Sequence, residues 1–420
     1  MEIMRPDKIR LEAHASLHRF VDEHRVPSLE LLAELIKVPS DNPPGDCRPH
    51  AVRAAQLFRS LGFEVEEHPV PEDLARSVGM ISATNLVIRH RFGPGPTIAL
   101  NAHGDVVAPG GGWTFDPYGA EVKDGWIYGR AATASKSDFA TYGYALLALR
   151  SLSERLGGTV EIHLTYDEEA GGEIGPKRLL LQGITRPDFA ICAGFTYLVV
   201  TAHNGCLHLE VEIKGKSSHA ARPELGHDAM EAANHVLTAL FAERRRLAGI
   251  RSTVEGIGHP TLVVGLINGG INTNVLPDQV TMRIDRRILP QEDGKQVTSD
   301  LVQLVRDSVK SLPGIRCETR IVMLAEPLTP LPRQDHLVAA IKRNADVVLG
   351  EEIPAIGAPI YTDARHYCAA GVPTVLYGAG PKDPSDANAH GPDERLKISD
   401  LCSATEITAR ACYDLLTGST

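Results

Sequence analysis

Short apolar segments alternate with segments of helical periodicity, and this alternation limits the folds that the chain can adopt. Strand-like apolar runs lie at residues 85–89, 97–101, 159–164, 188–192 and 373–377. Apolar residues recur at helical spacing over residues 28–38, 49–61, 139–152 and 399–416. Strands interleaved with helices predict an α/β fold whose sheet resumes near the C-terminus.

Residues 207–320 follow a different rhythm from the rest of the chain. The pattern predicts, in order, a strand, a helix, two strands, a helix and a strand, which is the order of a ferredoxin-like unit. A chain of 420 residues is also long enough for two domains. We therefore expect one domain built from residues 1–206 and 321–420, with residues 207–320 inserted into it as a second domain.

Composition excludes several classes of function. The formal net charge is −10 and no basic block occurs, so neither nucleic acid nor an anionic membrane is an expected partner. The seven cysteines are widely spaced and form no C-x-x-C pair, which is typical of reduced thiols. The N-terminal residues lack the apolar stretch of a signal peptide, and no run of 18 apolar residues occurs. These features predict a soluble, cytoplasmic protein.

Polar residues follow three of the predicted strands. His103 and Asp105 follow the second run, Asp167-Glu168-Glu169 follows the third, and His390 lies in the loop after the last. Ligands of open α/β sheets bind beyond the carboxyl ends of the strands. We therefore expect these groups to meet at one site.

The residue types suit metal-assisted hydrolysis. In a His-x-Asp pair the carboxylate can accept one ring N–H, which leaves the other nitrogen of His103 free to bind a metal. Neighbouring carboxylates such as Glu168 and Glu169 can have different roles: one can bind a cation while the other binds a water molecule and acts as its general base. Taken alone, each motif is more often a surface pair or a solvated acidic turn, so the shared position after strands is what favours a site.

Nine segments, in this order and spacing, resemble the M20 metallopeptidase and amidohydrolase family over roughly residues 28–416. They are Asn101-Ala-His-Gly-Asp-Val-Val, Trp113-Thr-Phe-Asp-Pro-Tyr, Asp124-Gly-Trp-Ile-Tyr-Gly-Arg, Asp167-Glu-Glu-Ala-Gly-Gly, Gly215-Lys-Ser-Ser-His-Ala, Asn274-Val-Leu-Pro-Asp, Asp285-Arg-Arg, Tyr361-Thr-Asp-Ala-Arg and Ala389-His-Gly-Pro-Asp-Glu. The resemblance implies a metallopeptidase-type catalytic domain, with a mixed sheet flanked by helices and a dinuclear zinc-type site. It also implies an inserted domain that acts as a lid and forms a homodimer.

The resemblance further implies roles for residues of the catalytic domain. His103, Glu169 and His390 match metal ligands, Asp105 matches the acid that orients a ligand, and Glu168 matches the general base.

Three residues of the inserted domain also match family positions. His219 matches a lid histidine that stabilises an oxyanion, often across a dimer interface, while Asn274 and Arg287 match positions that hold a substrate carboxylate. Alternatively, His219 is a helix-cap histidine and Arg287 an ordinary ion-pair partner. On the family reading, the substrate is a small molecule carrying a carboxylate.

The sequence departs from the family at two metal-ligand positions. Ala134 stands where the family has an aspartate that bridges two metals, and Gly194 stands where it has another carboxylate ligand. Two adjacent divalent ions without a bridging carboxylate would repel strongly. We therefore expect one divalent metal per chain, Mn²⁺, Zn²⁺ or Co²⁺, unless Asp138 or Asp105 moves into the vacant position.

Three hypotheses of function follow. The leading one is an amidohydrolase or deacylase acting on an N-acyl amino acid, rebuilt around one metal. The second is an aminohydrolase that releases ammonia from an aromatic amine, in the manner of 5-nitroanthranilate aminohydrolase, because Phe195, Tyr197 and His203 lie near the altered ligand position. The third is an inactive, binding relative, against which the retained Glu168, Glu169 and His390 argue.

Overall fold

The computed structural model describes residues 6–152 and 156–418 and divides into two compact units. The first unit contains the chain up to Thr201 together with residues 330–356 and 362–420, and the second contains residues 202–329 and 357–361. The second unit thus extends beyond residues 207–320, because one of its strands begins at Gly205 and another ends at Ala325, and it also includes residues 357–361. Within the described ranges, no helix is long and apolar enough to cross a membrane.

Helices and strands alternate along most of the chain. The helices are α1 (Pro6–Glu23), α2 (Arg25–Ile36), α3 (Arg48–Ser60), α4 (Glu72–Ser77), α5 (Lys136–Arg150), α6 (Pro176–Leu181), α7 (Ala229–Leu247), α8 (Gly294–Val309), α9 (Gln334–Leu349), α10 (Ala364–Ala369) and α11 (Ile398–Thr417). The strands are β1 (Glu66–Pro69), β2 (Thr84–Arg91), β3 (Thr97–His103), β4 (Glu121–Lys123), β5 (Trp126–Tyr128), β6 (Thr159–Thr165), β7 (Phe189–Cys192), β8 (Val199–His203), β9 (Gly205–Lys214), β10 (Thr261–Gly269), β11 (Gln279–Ile288), β12 (Arg316–Ala325), β13 (Ala355–Ala358), β14 (Thr374–Leu376) and β15 (Arg395–Lys397).

A mixed eight-stranded sheet forms the centre of the first unit, in the order β1-β2-β6-β3-β7-β14-β8-β13. Strand β3 runs parallel to β6 and β7, and β7 runs parallel to β14. The carboxyl ends of these four strands therefore lie at one edge of the sheet, where the chain places its polar segments. The mixed α/β fold predicted from the sequence is confirmed.

Helices cover this sheet and bury its apolar residues. Helix α5 is buried along almost its whole length and packs against α2 and α11, so it lies in the core rather than on the surface. The hydroxyl of Tyr142 on α5 donates a hydrogen bond of 2.8 Å to the carbonyl oxygen of Tyr377. This bond ties the helix to the chain directly after β14.

A small sheet in the order β15-β5-β4 was not predicted. Each of its strands has only three residues, which is too short for a periodic pattern. It positions the chain after His390 by pairing β15 with β5.

The second unit contains an antiparallel sheet in the order β10-β11-β9-β12, with α7 and α8 packed on it. Along the chain its elements run β9-α7-β10-β11-α8-β12, the predicted ferredoxin-like order. Asp228 and Asp293 cap the two helices by accepting backbone N–H bonds. Strand β10 is an outer strand with exposed apolar side chains at Val263, Leu266 and Ile267.

Candidate metal and catalytic site

The polar segments that follow the strands of the first unit come together. Ligand atoms of His103, Glu168 and Glu169 lie within 4.8 Å of one another. His390 adds a ring nitrogen, since its Nε2 lies 3.6 Å from Oε1 of Glu169. These four residues are called the His103 cluster below.

The backbone and a neighbouring serine fix His103 at the end of β3. Its Nδ1 lies 3.0 Å from the backbone carbonyl oxygen of Asp105 and 3.5 Å from Oδ1 of the same residue. Ser135 Oγ accepts the His103 N–H and donates to the His103 carbonyl, both at 3.0 Å. A neutral ring that donates from Nδ1 carries its lone pair on Nε2, which is the form that binds a metal. The Asp105 carbonyl thus lies closer to the ring than the carboxylate expected to orient it.

The buried Asp105 carboxylate instead organises the chain after β6. Its oxygens accept the backbone N–H groups of Glu168 at 3.2 Å and Glu169 at 3.1 Å. The side-chain amide of Asn42 donates a third bond of 3.0 Å. These bonds hold the short 3₁₀ turn from Glu168 to Ala170 against the end of β3.

The electrostatics of the cluster favour a bound cation. Burial raises the pKa of Glu168 and of Glu169 to about 7, and each also lies near other carboxylates. Burial lowers the pKa of His103, but the carboxylates around it have the larger combined effect and raise it well above the usual value. Positive charge is therefore stabilised here.

The donor set also fits a divalent metal. Oε1 of Glu169 is buried and lacks a hydrogen-bond partner within the described structure, although it lies close to the His390 ring. A buried carboxylate oxygen without a hydrogen bond is costly unless it binds a cation. Imidazole and carboxylate groups suit Mn²⁺, Zn²⁺ and Co²⁺. His103, Glu169 and His390 could hold such an ion.

Neither altered ligand position offers a substitute. The backbone N–H of Ala134 donates to Oε1 of Glu394 at 3.3 Å, and its methyl group cannot bind a metal. A Cβ on Gly194 would lie 2.7 Å from the backbone nitrogen of Tyr377, so no side chain fits there without a backbone shift.

Asp105 and Asp138, the two acids considered as replacement ligands, do not fill this role. Both oxygens of Asp105 accept hydrogen bonds, as described above. Asp138 is fully buried, its Oδ1 accepts the N–H of Ala379 at 2.8 Å, and burial raises its pKa to about 8. Asp138 is therefore mostly protonated at neutral pH and does not supply the missing negative charge.

Sequence reasoning missed a buried ion pair behind His390. Arg130 and Glu394 are both almost fully buried, and Nη1 of Arg130 lies 2.6 Å from Oε2 of Glu394. Nη2 of the same arginine donates to the His390 carbonyl at 3.4 Å. This pair fixes the loop that carries His390. The only signal was that both residues lie in quoted family segments.

Asp363 is a second missed residue. It is buried and accepts a 3.3 Å hydrogen bond from the hydroxyl of Thr165 at the end of β6. Burial and, to a smaller extent, the nearby Glu168 carboxylate together raise its pKa to about 7. Asp363 is therefore a further buried carboxyl close to Glu168.

The remaining predicted residues lie in the second unit. His219 is exposed, and its Nδ1 accepts the backbone N–H of Ala221 at 3.0 Å, so the neutral ring presents Nε2–H as a donor. Asn274 is exposed, and its backbone carbonyl oxygen accepts the backbone N–H of Ala220 at 3.0 Å. Arg287 donates from Nε to Oδ1 of Asp285 at 3.0 Å and lies over the Tyr361 ring.

Comparison with known proteins points to one family. Residues 99–414 match the model of peptidase family M20/M25/M40. The succinyl-diaminopimelate desuccinylase of Gluconacetobacter diazotrophicus is 27% identical over 395 residues, covering 91% of this chain and 95% of that protein. The acetylornithine deacetylase of Proteus mirabilis is 30% identical over 352 residues, covering 82% and 84%. An M20 family metallo-carboxypeptidase from Sulfolobus solfataricus shares the fold, with a TM-score of 0.76 at 17% identity and coverage of 94% and 99%.

Proposed function

Because the chain belongs to peptidase family M20/M25/M40, we propose that it is a metal-dependent hydrolase that removes the acyl group from a small N-acyl amino acid. The observation that carries the proposal is the meeting of His103, Glu168 and Glu169 within 4.8 Å, with His390 beside Glu169. The relatives named as a deacetylase and a desuccinylase support an amide substrate bearing a carboxylate.

One divalent ion per chain is proposed, held by His103, Glu169 and His390. A metal there supplies Lewis acidity toward a carbonyl oxygen and lowers the pKa of water. The methyl group at Ala134 and the crowded backbone at Gly194 support one ion rather than two, because neither position offers a carboxylate.

Glu168 is proposed as the general base. A carboxylate oxygen of Glu168 lies within 4.8 Å of the ligand atoms of His103 and Glu169, and we assign the metal-binding role to Glu169. A carboxyl group with a pKa of about 7 is well suited to proton transfer near neutral pH. It accepts a proton from the attacking water and passes it to the leaving nitrogen. The Asp105 carboxylate keeps Glu168 in position through its backbone N–H.

Residues of the second unit are proposed to recognise the substrate. His219 offers an Nε2–H group that could stabilise the developing oxyanion. Arg287 and Asn274 are proposed to bind the carboxylate, for which the planar guanidinium is suited. The ion pair with Asp285 engages Nε of Arg287 and orients the side chain.

A homodimer formed through the second unit is also proposed. Strand β10 is an outer strand that exposes Val263, Leu266 and Ile267, and an apolar outer strand of this kind tends to be covered by a partner. The mass of the protein in solution tests this proposal.

Hydrolysis of an aromatic amine is the alternative. The close approach of Gly194 to Tyr377 favours it, because this contact excludes the carboxylate that a paired-metal amidase would carry. Attack on an electron-poor ring spreads the negative charge over the ring, so a second metal is less important than in amide hydrolysis.

A substrate panel distinguishes the candidates. The purified protein, loaded with Mn²⁺, Zn²⁺ or Co²⁺ in turn, is incubated with N-acetyl and N-succinyl amino acids and with aminobenzoates. Release of acetate or succinate that is lost in Glu168→Gln supports the deacylase. Release of ammonia from aminobenzoates supports the alternative. No turnover with any metal would favour an inactive, binding relative.

A further inference from the structure

A second cluster of metal-ligating side chains lies on the sheet of the second unit. Cys206 and His208 lie on β9 and Asp285 lies on β11, and their ligand atoms are within 4.8 Å of one another. In the antiparallel register His208 is opposite Asp285, and Cys206 is opposite Arg287. Side chains alternate between the two faces of a sheet, so Cys206, His208 and Asp285 share one face.

We propose that Cys206, His208 and Asp285 form a second cation site, separate from the His103 cluster. Oδ2 of Asp285 lies 3.0 Å from Nε2 of His208 and 3.5 Å from Sγ of Cys206. Ligand atoms bound tetrahedrally to one Zn²⁺ ion are separated by about 3.3–3.7 Å, given bond lengths of about 2.0–2.3 Å. The two separations from Oδ2 of Asp285 therefore lie within a few tenths of an ångström of those in a tetrahedral site, and the sulfur and the ring nitrogen lie within 4.8 Å of each other.

The ligand types select the class of ion. A thiolate, an imidazole and a carboxylate suit Zn²⁺, Co²⁺ or Cd²⁺, and they do not suit Mg²⁺ or Ca²⁺, which prefer oxygen. Binding requires Cys206 to lose its thiol proton to solvent and His208 to bind as neutral imidazole. The thiolate and the carboxylate then balance the two charges of the ion, so the neighbouring Arg287 faces a locally neutral group.

The surroundings of the cluster allow an ion to enter and to remain. Cys206 is fully buried, whereas the side chains of His208 and Asp285 are 37% and 28% exposed. The exposed side leaves room for water as a fourth ligand, as in sites with three protein ligands. On the other side, Nε of Arg287 holds Oδ1 of Asp285 and directs Oδ2 toward the cluster.

The competing explanation is a hydrogen-bonded group without affinity for metal. In that case Cys206 and His208 both donate to Oδ2 of Asp285, and the distances of 3.5 Å and 3.0 Å are those of ordinary hydrogen bonds. The two explanations differ in whether sulfur binds an added metal.

Titration of the metal-free full-length protein with Cd²⁺, and separately with Co²⁺, tests the site by absorbance. A sulfur-to-metal charge-transfer band cannot come from the His103 cluster, which contains no sulfur, and the loss of the band in Cys206→Ser distinguishes this site from the other free cysteines. We expect a band that saturates at one ion per chain, that disappears in Cys206→Ser and that persists in His103→Ala. Cys317→Ser, on β12 of the same unit, is the matched control and should retain the band.

His208→Gln is a second variant, useful because the partly exposed ring can be replaced without disturbing the core. It keeps the sulfur but removes a ligand, so the metal concentration that half-saturates the band should rise at least about 10-fold. The proposal is overturned if wild-type protein gives no band, if the band survives Cys206→Ser, or if His208→Gln binds as tightly as wild type. The absorbance does not depend on catalytic activity, so the result is independent of the proposed function.

Discussion

Asp105 and Glu168 are joined by a 3.2 Å hydrogen bond from the Glu168 backbone N–H to Oδ1 of the buried Asp105 carboxylate. The other carboxylate oxygen accepts the N–H of Glu169. One side chain at the end of β3 therefore positions both the proposed base and a proposed metal ligand after β6.

Asp105→Asn should loosen this arrangement. The amide keeps one acceptor oxygen and replaces the other with a donor, so one of the two N–H groups of Glu168 and Glu169 loses its partner. We expect metal affinity to fall about 10–100-fold, the usual effect of losing a group that orients a ligand, with a parallel loss of kcat. Metal titration and steady-state kinetics measure both.

The matched control for this prediction is Asp116→Asn. Asp116 also accepts a backbone N–H, that of Tyr118, but in an exposed turn. It should leave metal affinity and kcat unchanged. Equal metal affinity in Asp105→Asn and wild type would show that the hydrogen bonds do not position the site.

Glu168→Gln should separate catalysis from metal binding. The amide cannot accept the proton, so turnover should fall about 10²-fold or more while metal content stays at the wild-type level. Elemental analysis and kinetics on the same preparation provide the two readings. Glu173→Gln, an exposed acid paired with Lys177, is the control and should behave like wild type. Loss of the metal in Glu168→Gln would instead make this residue a ligand.

Ala134→Asp should restore part of the family's paired-metal site. The new carboxylate would stand where the family has its bridging aspartate, so metal content should rise from about one ion per chain toward two. Ala134→Asn has nearly the same shape without the charge and should not raise the metal content. Gly194 is not a useful target, because a side chain there would collide with the Tyr377 backbone. Two tightly bound ions in the wild-type protein would contradict the single-metal proposal.

The strands, and the polar segments that follow them, were predictable from the sequence because both appear as local patterns of residue type. The apolar runs correspond to β3, β6, β7 and β14. Parallel strands bring their carboxyl ends to one edge of a sheet. The proximity of His103 to Glu168 and Glu169 therefore follows from the local sequence pattern. The helix α1 could also have been found, since Ala13, Leu17 and Val21 recur every four residues and are buried.

Other features of the site depend on long-range packing and leave no local pattern. Arg130 and Glu394 are far apart in sequence, and the pairing of β5 with β15 helps to bring them together. The sequence also predicted that the Asp105 carboxylate would orient His103, but the nearer group is the Asp105 carbonyl. Which oxygen faces the ring is decided by the turn after β3, and residue types alone do not specify it.

Arg287→Ala should weaken binding of a substrate carboxylate. Loss of a charged hydrogen bond is worth about 1.5–3 kcal/mol, which corresponds to a fall in kcat/KM of roughly 10–150-fold. Arg283→Ala is the control, because Arg283 lies on the same strand and pairs with Glu210. A substrate analogue without the carboxylate should lose rate with wild type but not with Arg287→Ala. Equal losses in the two proteins would make Arg287 a structural ion-pair partner.

Glu161 should make the free energy of unfolding of the first unit depend on pH in the acid range. Burial alone would raise its pKa, but bonds from His163, Thr185 and Arg89 outweigh burial and lower the pKa to about 2. A carboxyl with a lowered pKa in the folded state stabilises the protein above its unfolded value of 4.5, and this contribution is lost as pH falls from 4.5 toward 2.

The size of this effect follows from the shift. A change of one pKa unit is worth about 1.4 kcal/mol, so Glu161 contributes on the order of 3 kcal/mol at neutral pH. Glu161→Gln should lower the free energy of unfolding at pH 7 by a comparable amount and flatten its decline between pH 4.5 and pH 2, as measured by urea unfolding at several pH values. Glu67→Gln, which removes an exposed partner of Arg59, should change neither quantity by more than a few tenths of a kcal/mol. A variant that loses stability in acid as steeply as wild type would show that Glu161 is not the group responsible.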